Sequence, residues 1–265
     1  MWDKSHKTKE WNLMMSIETY GVGERLRVAA RLSSALDVSH LVILPVPTTR
    51  DKKHVSGTDI LLSDTLCNAE ENSVIVGYGL PESFVSMARA RGAEVLDLLC
   101  DEEYLCDNAY ITASGALGYI LTTVKSSPDD IRFGIVGYGR IGSRLVRMLL
   151  FLGARVRVYT SKVLNCFELG ECGIDCVAVS ESDGDTYDFS DIDILINTAP
   201  KDMAQGIKNG STSENMRIIE LASGDNFIGI ERVEKLPGIP EKMYAESAGK
   251  TYFSAIKRFL NTIQG

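Results

Sequence analysis

Arg132-Phe133-Gly134-Ile135-Val136-Gly137-Tyr138-Gly139-Arg140-Ile141-Gly142 is the stretch whose reading decides the fold. Its first five residues read as a short apolar strand. The glycines at 137, 139 and 142 then follow with G-x-G-x-x-G spacing. Beyond them, Ile141, Leu145, Met148, Leu149 and Leu152 fall on one side of a helix that Gly153 ends, and Arg155 to Tyr159 forms a second strand. In that setting each glycine has a physical reason. Gly137 permits a tight turn, Gly139 lets the backbone approach a pyrophosphate, and Gly142 lets helix and strand pack closely. Free N–H groups at the helix start favour bound phosphate. The expectation is a Rossmann-type domain from about Pro128 to Gly249 that binds a nicotinamide dinucleotide. Gly137, Tyr138, Gly139, Arg140, Ile141 and Gly142 would lie at the cofactor.

The end of the second strand bears on which cofactor. NAD-preferring domains usually place Asp or Glu there, on the ribose hydroxyls. This chain has Thr160-Ser161-Lys162. Without a carboxylate there is no repulsion, and Ser161 with Lys162 can hold a 2′-phosphate; otherwise Lys162 is a solvated surface lysine. NADP is favoured, with NAD possible. Ile192 to Pro200 and Arg217 to Ser223 read as further strands. Ligands bind at strand ends in such sheets, so Thr198, Ala199, Pro200 and Ala222 are expected on the nicotinamide side. Pro200 reads equally well as a plain strand terminator.

Outward from this core, the first half reads as a smaller flavodoxin-like α/β domain. Leu26, Val28, Ala29, Leu32 and Leu36 suit an amphipathic helix over 23–36. Leu41 to Val46 and Ser73 to Gly77 are apolar throughout, as in strands covered on both faces. A helix from Glu82 to Arg91 and a strand from Glu94 to Leu98 complete a β-α-β pattern. Two long helices, Asn108 to Val124 and Ser247 to Ile263, link the halves. The expected division is 1–107 with the helix 250–265 as substrate domain, and 108–249 as doubly wound dinucleotide domain. The cleft between them is the expected active site. Trp2, Trp11, Met14 and Met15 are apolar enough to pack on the domain or on a neighbour.

Composition narrows the classes. Of 265 residues, 45% are hydrophobic and 24% charged, ordinary for a globular protein. A net charge of -8, spread along the chain, opposes binding to nucleic acid or an anionic membrane. No apolar run approaches a membrane span, and the polar start, Met1 to Lys7, is unlike a signal peptide. Cys67, Cys100, Cys106, Cys166, Cys172 and Cys176 lack a paired C-x-x-C pattern, and the last three lack a nearby His for zinc. All six are expected to be reduced thiols of a cytoplasmic protein, with no metal site.

In its motifs the chain resembles the A-subunit family of dipicolinate synthase, relatives of the D-2-hydroxyacid dehydrogenases. The resemblance rests on Ile43-Leu44-Pro45-Val46 before a Thr-rich loop, Gly137 to Gly142, Ile196-Asn197-Thr198-Ala199-Pro200, Leu221-Ala222-Ser223, and Leu236 to Pro240 leading to Ser247-Ala248-Gly249. It implies an NADP-linked oxidation of a dihydrodipicolinate-type ring to pyridine-2,6-dicarboxylate during sporulation, in the cytoplasm, with a flavoprotein B subunit. Homo-oligomerisation is common among such relatives.

Candidate chemistry follows from what such a step needs. The histidines, His6, His40 and His54, all fall outside 224–247, where a 2-hydroxyacid dehydrogenase would carry its catalytic His, so simple 2-hydroxyacid oxidation is disfavoured. Aromatising a dihydro ring asks less of the protein, because product stability drives it. Arg50 can clamp a carboxylate bidentately unless it is merely solvated, and Thr48 and Thr49 can add hydrogen bonds. Tyr78, between two glycines, is a second candidate. Glu246 and Ser247 would face the cleft at the start of the last helix, with Glu246 a proton acceptor. Two alternatives stay open: a dehydrogenase of another small acid, and a non-catalytic nucleotide-binding paralogue.

Overall fold

The structure, a computed structural model, describes residues 16–179, 187–200 and 203–265. Trp2, Trp11, Met14 and Met15 lie outside the described residues. The chain forms two compact units. Unit 1 holds Met1–Tyr104 with Gly249–Gly265, and unit 2 holds Leu105–Ala248. Helices α3 (Glu102–Thr123) and α7 (Ile239–Gln264) each begin in one unit and end in the other.

Unit 1 is a parallel sheet of β1 (Ser16–Thr19), β2 (His40–Ile43), β3 (Val74–Gly77) and β4 (Glu94–Asp97), in that order. Helices α1 (Glu24–Ser33) and α2 (Glu82–Arg89) connect the strands. The order is that of a flavodoxin-like sheet lacking its outer strand. β2 and β3 are buried along their whole length, as their unbroken apolar runs imply. Val42, Leu44, Ile75, Phe84, Ala88 and Val95 form the core on one face. The far end of α7 closes the unit: Tyr252 is buried, and its hydroxyl donates to the carbonyls of Leu44 (2.8 Å) and Val76 (3.0 Å).

Unit 2 carries β5 (Arg132–Val136), α4 (Arg140–Phe151), β6 (Arg155–Thr160), α5 (Val163–Glu171), β7 (Asp175–Ala178), β8 (Asp188–Phe189), β9 (Ile194–Asn197), α6 (Ala204–Asn209), β10 (Ser211–Thr212), β11 (Arg217–Glu220) and β12 (Val233–Lys235). Six strands form one parallel sheet in the order β12-β11-β9-β5-β6-β7, while β8 and β10 pair apart from it. This is the doubly wound Rossmann order, with its switch point between β5 and β9. Phe133, Ile135, Leu145, Leu149, Val158 and Ile196 centre one core cluster; Tyr159, Phe189, Leu195 and Ile218 belong to another.

Two expected boundaries move. α3 starts at Glu102, not Asn108, because the Asp101 carboxylate accepts the Tyr104 amide at 2.9 Å and caps the helix. α7 starts at Ile239 after the turn at Gly238 and kinks at Tyr244. Glu246 and Ser247 therefore sit inside a helix, both exposed, instead of at its start. Gly115, which lowers helix propensity in α3, is where Ile239 packs: an added Cβ would overlap its side chain.

Candidate functional site

The carboxyl end of β5 carries the glycine turn, and its geometry explains each glycine. Gly137 has φ 90°, in the left-handed region that penalises a side chain. An added Cβ would also sit 2.9 Å from Thr198 Oγ1. At Gly142 a Cβ would overlap the carbonyl oxygen of Gly137, so helix α4 presses directly on the turn. Gly139 differs: a Cβ there would meet nothing within 4 Å. Self-packing does not require glycine at 139; the backbone faces open space. A pyrophosphate fits such a cradle, and the first amides of α4 lack a side-chain cap.

That space is a cavity of about 490 Å³. One wall is the turn, Gly137-Tyr138-Gly139. A second is the end of β6 and the start of α5, Thr160, Ser161, Lys162 and Asn165, with Val179 following β7. A third is Thr198-Ala199-Pro200 after β9. The expected residues thus meet around one hollow, except Arg140, Ile141, Gly142 and Ala222, which do not line it. Asn165 was missed by sequence reasoning. It follows Lys162 by one helical turn and donates to Thr160 Oγ1 at 3.4 Å; a polar residue five positions past the strand end was its only signal. Among the described lining residues Lys162 is the one charge, and none is acidic.

Buried polar groups hold the third wall. Thr198 Oγ1 donates to the carbonyl of Val136 (2.9 Å), tying the β9 turn to β5. Glu220, at the end of β11, is buried and accepts N–H groups from Asn197 (3.1 Å), Asn226 (3.2 Å) and the Ala222 backbone (2.8 Å). Asn197 Oδ1 in turn accepts the Ala199 amide at 3.1 Å. Burial pushes the Glu220 carboxyl upward against the pull of its three donors. Sequence reasoning passed over Glu220 because it looks like one acid in a strand.

Cys166 on α5 and Cys176 on β7 form a disulfide, with Cα atoms 5.1 Å apart. This corrects the expectation of thiols throughout: the turn joining α5 to β7 brings the two together. Cys67, Cys100 and Cys172 are free thiols.

The unit 1 candidates are placed as follows. Thr48 is buried; its hydroxyl donates to the Pro45 carbonyl (3.0 Å) and accepts the Tyr78 amide (2.7 Å). It builds the turn after β2, and its proton is committed there, not to a substrate. Thr49 donates to Asp51 at 3.2 Å. Arg50 is exposed and lines a hollow of about 230 Å³ with Asp51 and His54. Asp51 meets His54 Nδ1 at 2.6 Å, and that bond, with backbone amides, holds its carboxyl below the usual range. Tyr78 is half-buried, its ring 6.4 Å from that of Tyr104.

Among solved structures, the A subunit of dipicolinate synthase from Bacillus halodurans superposes with TM-score 0.74 at 16% identity, covering 93% of this chain and 97% of that one. The chain is similar in fold to that protein. The A chain of dipicolinate synthase from Bacillus subtilis gives 0.73 at 20% identity, over 95% and 97% of the two chains. D-lactate dehydrogenase from Escherichia coli gives 0.57 at 13% identity, over 95% and 98%. The resemblance expected from the motifs and the α/β fold class are both found, in a dehydrogenase-like fold. No family model matches the sequence, and no curated relative matches it. Among the described residues no helix is long and apolar enough to cross a membrane.

Proposed function

We propose that the protein is a nicotinamide-dependent oxidoreductase of the dipicolinate synthase type. NADP is its preferred cofactor, and its reaction is the oxidation of a dihydrodipicolinate-type ring to pyridine-2,6-dicarboxylate. The cavity at the switch point carries this reading: its glycine turn leaves room for a pyrophosphate, and its β6 wall presents Lys162 without an acid. When bound, the nicotinamide supplies the two-electron acceptor for the ring's hydride. The chain's own task is binding and orientation. The turn at Gly137–Gly142 admits the phosphates, Ser161 and Lys162 hold the 2′-phosphate, and Thr198, Ala199 and Pro200 bound the nicotinamide side. Arg50, Thr49 and Tyr78 serve the substrate carboxylates, and Glu246 accepts the proton released. Under this reading the protein works as a homo-oligomer in the cytoplasm of a sporulating cell, beside a flavoprotein B subunit.

Fluorescence titration with NADPH and separately with NADH tests the nucleotide half, and dihydrodipicolinate oxidation followed as NADPH formation tests the rest. Binding of neither nucleotide would make the glycine turn purely structural and end the enzyme reading. Lys162→Ala is expected to weaken NADPH roughly ten- to hundredfold, the loss of a charge-assisted bond, and to leave NADH within about twofold. An equal loss for both nucleotides would move Lys162 away from the 2′-phosphate.

A further inference from the structure

Arg25 is 4% exposed, and a buried guanidinium is a costly thing to leave alone. It is always charged, and burying it without a partner is strongly unfavourable. Here no carboxylate reaches it among the described residues. Among those residues its Nε–H has no acceptor, and its one hydrogen bond runs from Nη1 to the Tyr104 hydroxyl at 3.5 Å. Tyr104 is itself buried and neutral, its hydroxyl pushed up to about 12 by burial. Among the described residues its O–H proton has no acceptor. The acids nearby are engaged elsewhere. Asp97 accepts the amides of Gly79, Leu80 and Leu99, Asp101 pairs with Arg258 at 2.9 Å, and Glu24 pairs with Arg27.

The position matters as much as the missing partner. Arg25 is the second residue of α1, reached from β1 through Gly21-Val22-Gly23, and the helix start has no side-chain cap. The turn has one side chain, Val22, which is 80% exposed. The Tyr104 ring lies 6.2 Å from that of Tyr252, whose hydroxyl binds the carbonyls ending β2 and β3. Arg25 and Tyr104 therefore stand at the carboxyl ends of the unit 1 strands, where open α/β sheets bind ligands.

We propose that Arg25 and Tyr104 form a binding site for a carboxylate, with the Arg25 fork and the Tyr104 O–H as donors to its two oxygens. The ligand class is a small ring carboxylate. This deepens the oxidoreductase reading and rests on it for the ring, and it makes buried Arg25, rather than exposed Arg50, the principal carboxylate clamp.

The test is thermal unfolding and calorimetric titration of the full chain with pyridine-2,6-dicarboxylate, and with inorganic phosphate as a second probe. In the wild type the dicarboxylate should raise Tm and phosphate should not. Arg25→Met should unfold at an equal or higher temperature without ligand, since an unpaired buried charge is gone, and should bind the dicarboxylate roughly ten- to hundredfold more weakly. Tyr104→Phe, which keeps the ring, should weaken it several-fold and serves if Arg25→Met does not fold. Arg27→Met, an exposed charge lost from the same helix, should behave as wild type. Dicarboxylate affinity within twofold of wild type in Arg25→Met or Tyr104→Phe overturns the site, as does a lower ligand-free Tm in a folded Arg25→Met. A response to phosphate alone overturns the carboxylate class. NADPH titration of the same samples separates the two failures. Nucleotide binding without carboxylate binding defeats this site, and the reverse defeats the oxidoreductase reading.

Discussion

Gly142→Ala is expected to lower both stability and cofactor affinity, whereas Gly139→Ala is expected to lower affinity alone. The contrast follows from what each new methyl group would meet. At 142 it overlaps the Gly137 carbonyl oxygen and comes within 2.9 Å of Thr198 Oγ1, both parts of the frame that fixes the turn. Backbone cannot move aside cheaply in a packed interior, so overpacking of about 1–3 kcal/mol is expected. Strain borne by the turn then weakens nucleotide binding by roughly ten- to hundredfold. At 139 the methyl meets no protein atom within 4 Å, so urea unfolding should barely change. It would occupy the space a pyrophosphate needs, and NADPH binding should fall as far. Equal affinity of Gly139→Ala and wild type would show that no phosphate passes over that backbone.

Glu220→Ala should be the most damaging single change in unit 2. It strands the side-chain amides of Asn197 and Asn226 and the Ala222 backbone amide, all held by one buried carboxylate. Each stranded donor costs about 1–3 kcal/mol, which against a total stability of about 5–15 kcal/mol leaves little margin. Chemical denaturation should show the loss directly. Glu220→Gln keeps the volume and gives a cleaner pH test. Burial raises the carboxyl above its ordinary value of 4.5, so between that value and the raised one the folded state holds a proton that the unfolded chain has released. The stabilising contribution is complete below 4.5 and is lost as pH rises through the raised folded value. Wild-type Tm should therefore gain relative to Glu220→Gln on acidification through that window. Parallel Tm curves for the two proteins would mean that the carboxyl titrates alike folded and unfolded.

The sequence shows central strands well and edge strands poorly, for one physical reason. β2, β3 and β9 are covered on both faces, so their apolar runs are continuous and unambiguous. β1, β7 and β12 lie at sheet edges, with short stretches such as Ser16–Thr19 and Val233–Lys235 only partly buried. Their composition answers to solvent as much as to the sheet, and a period of two over four residues carries little signal. The glycine turn was legible because its requirement is local. Glu220 and Arg25 were not: Glu220 matters through burial and the donors that the fold gathers on it from Asn197, Ala222 and Asn226, and Arg25 through the lack of a carboxylate among the described residues. Tyr104, which meets Arg25, is 79 positions away.

One feature of the fold governs the order in which it can be made. Unit 2 is a single continuous segment, Leu105–Ala248, but unit 1 needs Gly249–Gly265 as well as the start of the chain. On a ribosome the opening segment of unit 1 emerges before unit 2 and cannot be finished until the far end of α7, made after unit 2, arrives. Until then the Leu44 and Val76 carbonyls have no Tyr252 hydroxyl, and the places of Ala255, Ile256 and Leu260 in the core stand empty. The nucleotide-binding half, though second in order of synthesis, is the first that can fold to completion, and the nascent amino-terminal half must be kept from aggregating meanwhile. A stop codon just after Ala248 would spare every residue of unit 2 and still leave unit 1 unable to close.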